Sequence, residues 1–243
     1  MHANKEEYNL ANVIGTENLL KAAIQKQARS FTLISSISAV GVVGNRLQPI
    51  SEETLPCPKT YYGKSKLASE KIVWNLASEQ MPVTIVRPPL IYGPGQKRSS
   101  GAAVLFNLCS RKIVPIIGDL NASLPLIYVK NLVEGLIHLT INNKGREIYN
   151  IADNNGYTFK HLIDIFKDPS LKQNFIQIPY PIALMAGLIG DSGSWFLKRD
   201  LGLCSEMIRG IGRNGFMMNI DKAYRAGYKP NTELSMSILK GDY

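Results

Sequence analysis

The sequence predicts an α/β fold built on a parallel sheet, on three observations. Two short apolar runs, residues 30–36 and 82–86, have the composition of strands buried on both faces. Each is preceded by a longer stretch, 9–27 and 62–80, whose apolar residues recur at helical spacing. The first run ends in Ser35-Ser36 and the second in Arg87-Pro88-Pro89, and ligands of open parallel sheets lie at such carboxyl ends of strands.

In the first helix, Leu10, Val13, Ile14, Leu20, Ala23 and Ile24 form the apolar face, and residues 1–7 before it read as polar, with no strand. Gly15 in its interior disfavours helix by about 1 kcal/mol relative to alanine, which predicts close packing against a neighbour. Residues 42–59 are a polar loop rich in Pro, Glu and Ser. The helix over 62–80 turns Leu67, Ile72, Val73, Leu76 and Ala77 to one side. Beyond Arg87 the Pro/Gly content of residues 88–95 forces a loop. A helix follows over 102–110, a strand and turn over 113–119, and a strand leading into a helix over 126–142. A late strand at 147–152, a helix capped by Thr158, and a strand and apolar helix over 175–190 come next, and the last helix is read at 233–239.

At 243 residues the chain is long enough for one large core or two modest ones. Its 45% hydrophobic and 19% charged residues are those of a soluble globular protein. The net charge of +9 is scattered, without aromatic interleaving, so nucleic-acid binding is not expected. Cys57, Cys109 and Cys204 are far apart and odd in number, which fits a reduced, cytoplasmic setting and no metal site. The apolar window 181–190 is too short to span a bilayer, and a buried helix is expected there in preference to membrane contact.

The chemistry centres on Tyr62 and Lys66, four residues apart and hence on one helix face. Of eleven tyrosines only Tyr62 has a lysine at that distance. An ammonium beside a phenol favours the phenolate, which predicts a lowered Tyr62 pKa and proton exchange with a substrate hydroxyl. Ser36, at the end of the first strand, can hydrogen-bond the same oxygen; a strand-end serine is also a common turn former.

These residues sit in segments that resemble the extended short-chain dehydrogenase/reductases, the NAD-dependent epimerase/dehydratase group. Asn12-Val13-x-Gly15-Thr16-x-Asn18-Leu19-Leu20, Ser35-Ser36-x-x-x-Val40-Gly41, Tyr62-x-x-x-Lys66, Arg87-Pro88-x-x-x-Tyr92-Gly93-Pro94-Gly95 and Asp221-Lys222-Ala223-x-x-x-Gly227-Tyr228-x-Pro230 are each similar to a family motif in family order. The resemblance implies a Rossmann-like parallel sheet with a smaller C-terminal α/β substrate domain. Residues 1–90 would form the C-terminal half of the NAD(P)-binding domain. Residues 91–243 would be mainly substrate-binding, with about 126–152 returning to the sheet. It implies Tyr62, Lys66, Ser36 and Asn12 as catalytic residues, and Tyr62, Lys66, Ser35, Arg87, Pro88 and Pro89 around NAD or NADP. A homodimer through helices 9–27 and 62–80 is implied as well.

Two departures stand out. No Gly-x-x-Gly-x-x-Gly stands ahead of the first predicted strand, nor the acidic residue that would follow it there, so the adenosine half-site is expected to be missing. By family pattern roughly 70–90 residues are absent, about one mononucleotide-binding half, and a fragment or a mis-set start is expected. Leu124 stands where sugar-nucleotide members carry a diphosphate-gripping arginine, and Ser36-Ile37 replaces the dehydratases' threonine and acid. The expected function is therefore Tyr/Lys/Ser-assisted hydride transfer, by an epimerase or oxidoreductase, on a sugar nucleotide or other secondary alcohol. The alternatives are a 3β-hydroxysteroid dehydrogenase-like enzyme and a non-catalytic dimerising remnant.

Overall fold

Two helices and the strands that follow them set the frame. The computed structural model describes residues 4–41, 49–77, 81–153, 156–167, 170–201, 204–205, 208–209, 217–232 and 234. The chain opens with α1 (Lys5–Tyr8), capped by Asn4 in a reciprocal bond with Glu7. It continues through a π-helical turn, Asn9–Ile14, into α2 (Gly15–Gln25). After β1 (Phe31–Ile34) and a 3₁₀ turn (Ile37–Ala39) comes α3 (Tyr61–Leu76), then β2 (Val83–Arg87).

β1, β2 and β7 (Arg146–Asn150) form one parallel sheet with β2 in the middle. Val83 and Ile85 of β2 pack with Leu20 and Val73 of α2 and α3. Val86 packs on the opposite side with Leu132 and Leu139 of α5 (Val129–Asn142) and with Tyr228. Covered on both faces and paired on both edges, all five residues of β2 are buried. The first run was expected to be equally buried, but of β1 only Leu33 is, and Ile34 is 45% exposed. The reason is position: β1 is the edge strand, paired on one side only.

The second half gathers around another core. β3 (Leu90–Tyr92) pairs in parallel with β6 (Leu126–Tyr128), and β4 (Ile113–Ile117) with β9 (Asn174–Ile178). The short β5 (Ser123–Leu124) runs antiparallel to β8 (Tyr157–Thr158). α4 (Gly101–Cys109) and α6 (Phe159–Phe166) meet through stacked Phe106 and Phe166 rings, 4.3 Å between centroids. At the centre the buried Asp153 carboxylate accepts from the Tyr92 and Tyr157 hydroxyls, the Asn131 amide and the Tyr128 N–H. Leu124 belongs to this core.

Two expectations need correction. The apolar helix is longer than read, α7 (Tyr180–Leu197), and it is not buried. Only Ala183 and Gly187 are covered, on the face that meets Ser205, while Ile182, Met185, Ile189, Trp195 and Phe196 face outward. No helix among the described residues is long and apolar enough to cross a membrane. Gly15 does not pack against another element. Its N–H donates to the Leu10 carbonyl, closing the π turn, and that oxygen is the only such atom within 4 Å of where a Cβ would stand. A short helix, Asp221–Arg225, is the last described; the helix read at 233–239, the loop portion 42–48 and the helix end 78–80 lie outside the described residues.

Candidate active site

Ser36 and Tyr62 come together because the N-terminus of α3 lies directly on the turn that ends β1. Ser36 caps that 3₁₀ turn, its hydroxyl accepting from the Ser38 N–H at 3.2 Å. Gly63 lies against the Ser38 carbonyl, with no room for a Cβ between them, and the Pro58 side chain closes the other flank. In this register the Ser36 hydroxyl is the polar group that acts on the Tyr62 phenol, favouring its ionised form against the effect of burial. The Pro88 carbonyl accepts the Ile37 N–H at 3.0 Å, tying the end of β2 to the same turn.

Lys66, one turn along α3, holds its ammonium 5.8 Å from the centre of the Tyr62 ring and donates to the Ile34 carbonyl at 2.9 Å. Burial lowers the Lys66 pKa, and the Glu70 charge pulls it partly back. The lowered Tyr62 pKa expected from this lysine is not found. Burial pushes the phenol up from its ordinary value, and the Ser36 hydroxyl only partly counters this. The physical reason is placement, because the ammonium is over the ring face and committed to a backbone carbonyl rather than beside the hydroxyl.

Asn12 lies in the π-helical turn, a departure from the regular helix that often marks functional sites. Its side-chain amide donates to Ser65 Oγ at 2.9 Å, and its carbonyl accepts from Ser69 Oγ at 2.6 Å. Ser65 in turn donates to the Tyr62 carbonyl at 2.8 Å, so Asn12 reaches the tyrosine through one hydroxyl.

Ser35 and Arg87 are placed differently. Both are buried and both turn to Glu70: the serine hydroxyl donates to Oε1, and the guanidinium donates Nε and Nη2 to the two carboxylate oxygens at 2.9 and 2.7 Å. Arg87 Nη1 has no hydrogen-bond partner among the described residues. Pro88 and Pro89 are buried at the end of β2. Thus Tyr62, Lys66, Ser36 and Asn12 converge, while Ser35 and Arg87 form a buried ion-pair cluster behind them. No group of three or more His, Cys, Asp or Glu among the described residues could hold a metal ion.

Sequence reasoning missed four participants. Glu70 follows Lys66 by one helical turn, a spacing that could have drawn attention to it. Gly63, inside a catalytic tetrad spacing and at the third helical position, was a detectable sign of close approach. Tyr8, whose ring is tilted on that of Tyr62 at 5.6 Å, and Asp200, whose carboxylate accepts the Tyr61 and Tyr62 N–H groups, had no local signal.

A serine at the carboxyl end of a parallel strand, set against a tyrosine and a lysine in the first turns of the next helix, is an arrangement suited to a nucleotide-cofactor oxidoreductase. The NAD dependent epimerase/dehydratase family model matches residues 2–152, and the chain belongs to that family of NAD-dependent enzymes. The chain is 27% identical over 259 aligned residues to a decarboxylating sterol-4-alpha-carboxylate 3-dehydrogenase of Candida albicans, covering 98% of this chain and 72% of the relative. It is 30% identical to a UDP-glucose 4-epimerase of Vibrio cholerae, over 76% of this chain and 57% of that one. Among solved structures, MoeE5 in complex with UDP-glucose and NAD shares the fold at a TM-score of 0.68 and 21% identity, over 98% of this chain and 71% of the other. The chain spans about half the length of other curated relatives, 46% and 54% in two cases.

The donor set fits one end of NAD(P). A buried-edge phenol, a lysine ammonium and a serine hydroxyl suit a ribose and a reacting oxygen, beside the apolar Pro88-Pro89 wall. Of the glycine-rich runs in the sequence, Gly187-x-x-Gly190-x-x-Gly193 lies inside α7 and Gly210-x-Gly212-x-x-Gly215 lies outside the described residues; neither stands ahead of β1.

Proposed function

We propose that this chain carries the proton-transfer machinery and the substrate side of an NAD(P)-dependent enzyme that oxidises, reduces or epimerises a secondary alcohol. The observation that supports this best is the packing of the start of α3, which carries Tyr62 with Lys66 over its ring, on the turn that carries Ser36 at the carboxyl end of β1. When bound, nicotinamide supplies the hydride acceptor or donor. Tyr62 takes the hydroxyl proton as the alcohol is oxidised and returns one when the carbonyl is reduced. Ser36 holds the reacting oxygen against the phenol. Lys66 turns its ammonium to the nicotinamide ribose, and Asn12 fixes the Tyr62 backbone through Ser65. Ser35, Arg87, Pro88 and Pro89 form the floor beneath the cofactor, in this reading, and residues 1–90 and 91–243 divide into cofactor and substrate regions.

For the substrate, a sugar nucleotide is the first reading, and a sterol-like alcohol is the second. The second is favoured by Leu124, buried in the core, which leaves no cation at that position for a diphosphate. The exposed Leu10 and Leu19 on the first helix and Trp74 and Leu76 on α3 support a homodimer through these helices. The scattered cysteines support a cytoplasmic setting.

The test is turnover of UDP-glucose and of a 3β-hydroxysteroid with NAD+ and NADP+, followed by cofactor reduction and by sugar analysis for epimerisation. Tyr62→Phe is expected to lower the rate on the converted substrate by about 10²–10⁴. Unchanged turnover in Tyr62→Phe would remove the catalytic assignment and leave the non-catalytic module.

A further inference from the structure

Asp200 lies 138 residues from Tyr62 in sequence, yet its two carboxylate oxygens accept the backbone N–H groups of Tyr61 and Tyr62, at 3.0 and 3.1 Å. Helix termini leave their first N–H groups without intrahelical partners. At α3 the third of these, from Gly63, goes to the Thr60 hydroxyl at 3.0 Å, and Asp200 takes the first two. A carboxylate is the favoured occupant there, since it also meets the positive end of the helix dipole.

The segment presenting Asp200 is held from several sides. Lys198 ends α7 in the left-handed region, φ 52°, which a lysine rarely adopts without compensation. Its carbonyl accepts the Lys5 N–H at 2.7 Å, and Arg199 bridges to Asn4. The Arg199 N–H donates to the Ser194 carbonyl at 3.2 Å and the Leu201 N–H to the Ser194 hydroxyl at 3.1 Å. Residues 198–201 therefore join the start of α1, the start of α3 and the end of α7. Tyr8 lies beside this junction, with its ring on that of Tyr62 and its phenol raised by burial and then by the Asp200 charge.

We infer that Asp200 is a positioning residue for Tyr62: from the end of α7 it clamps the first turn of α3 so that the phenol is held over the turn that carries Ser36. This rests on the reading of Tyr62 as the proton carrier, but the clamp can be tested without turnover. A rotation or fraying of that turn would pull the phenol from Ser36, while the buried tyrosines of the second core would feel nothing.

The experiment is a ring-¹³C tyrosine NMR titration of this chain as wild type, Asp200→Ala and Asp200→Asn, with Tyr92 and Tyr157 as fold controls. The Ser36 hydroxyl favours the phenolate, so drawing the phenol away from it in Asp200→Ala should reduce the Tyr62 phenolate fraction at a given pH roughly two- to tenfold. Asp200→Asn keeps an acceptor and should move Tyr62 less, in the same direction. Tyr8 serves as the charge control: it should ionise more readily in both variants, because both remove the anion. Tyr62 titrating as in the wild type in both variants would overturn the clamp. If Asp200→Ala does not fold, Asp200→Asn decides, and an unmoved Tyr62 there overturns it equally. In the enzymatically active protein, Asp200→Ala should lower kcat, leave KM for NAD(P) unchanged, and add nothing in a Tyr62→Phe background. Additive losses would overturn positioning through Tyr62, whereas full turnover by Tyr62→Phe alone would instead sink the catalytic reading.

Discussion

Gly63 and the Ser38 carbonyl are in contact where no Cβ could fit, and this contact sets how deeply the start of α3 sinks onto the turn after β1. Gly63→Ala should push the two elements apart. The expected results are a loss of about 1–3 kcal/mol in denaturant unfolding, typical of overpacking a tight contact, and loss of turnover through the displaced Tyr62. Unchanged stability and activity would show that the turn adapts freely.

Ser36→Ala and Lys66→Met should separate in steady-state kinetics. The first removes the hydroxyl that favours the ionised phenol, so kcat should fall by roughly tenfold with cofactor affinity unchanged. The second should raise KM for NAD(P) as well as lowering kcat, because in the proposed reading the ammonium serves the ribose as well as the ring. Equal effects of the two variants on KM would contradict the division of roles.

The Glu70–Arg87 pair is bidentate and nearly inaccessible, with side chains 5% and 4% exposed. Removing one partner strands a buried charge. Glu70→Ala should therefore cost about 3–5 kcal/mol, far more than an exposed pair would. A double change to Glu70→Leu and Arg87→Met should recover much of the loss. Stability that falls further in the double variant would refute the stranded-charge account.

Stability should decline on the alkaline side. Burial pushes the Tyr157 phenol up to about 12 from 10.0, so the folded state holds its proton more tightly than the unfolded chain does. Its contribution is fully present below pH 10.0 and is lost as pH rises toward about 12. For a side chain with no exposure this amounts to about 2–3 kcal/mol. Chemical denaturation at a series of pH values should show that slope, and Tyr157→Phe should flatten it. The variant should also be less stable at neutral pH, since the Leu234 N–H loses its acceptor.

If α2 and α3 form a dimer interface, Leu19→Glu should shift the protein to monomers in light scattering while leaving its unfolding midpoint at low concentration nearly unchanged. A wild-type chain that is monomeric at high concentration would contradict the interface itself.

The sequence by itself determined the order of the long helices and the main parallel strands and the pairing of Tyr62 with Lys66, because these are written in local patterns; residues 88–95 read as a loop, where β3 forms by pairing with β6. Helical spacing placed the two long helices, strand composition placed β1 and β2, and a four-residue interval put Tyr62 and Lys66 on one face. Ser36 was legible as a strand-end hydroxyl. What only the tertiary structure decided depends on where elements lie relative to one another. The edge position of β1 exposes Ile34 despite an apolar sequence, and the outward face of α7 contradicts its composition. The Tyr62 pKa rises because burial and the path of the Lys66 side chain outweigh mere adjacency. Ser35 and Arg87 turn inward because Glu70 lies between them. Asp200 reaches the start of α3 only through the turn at the end of α7, a contact across 138 residues that no local pattern encodes.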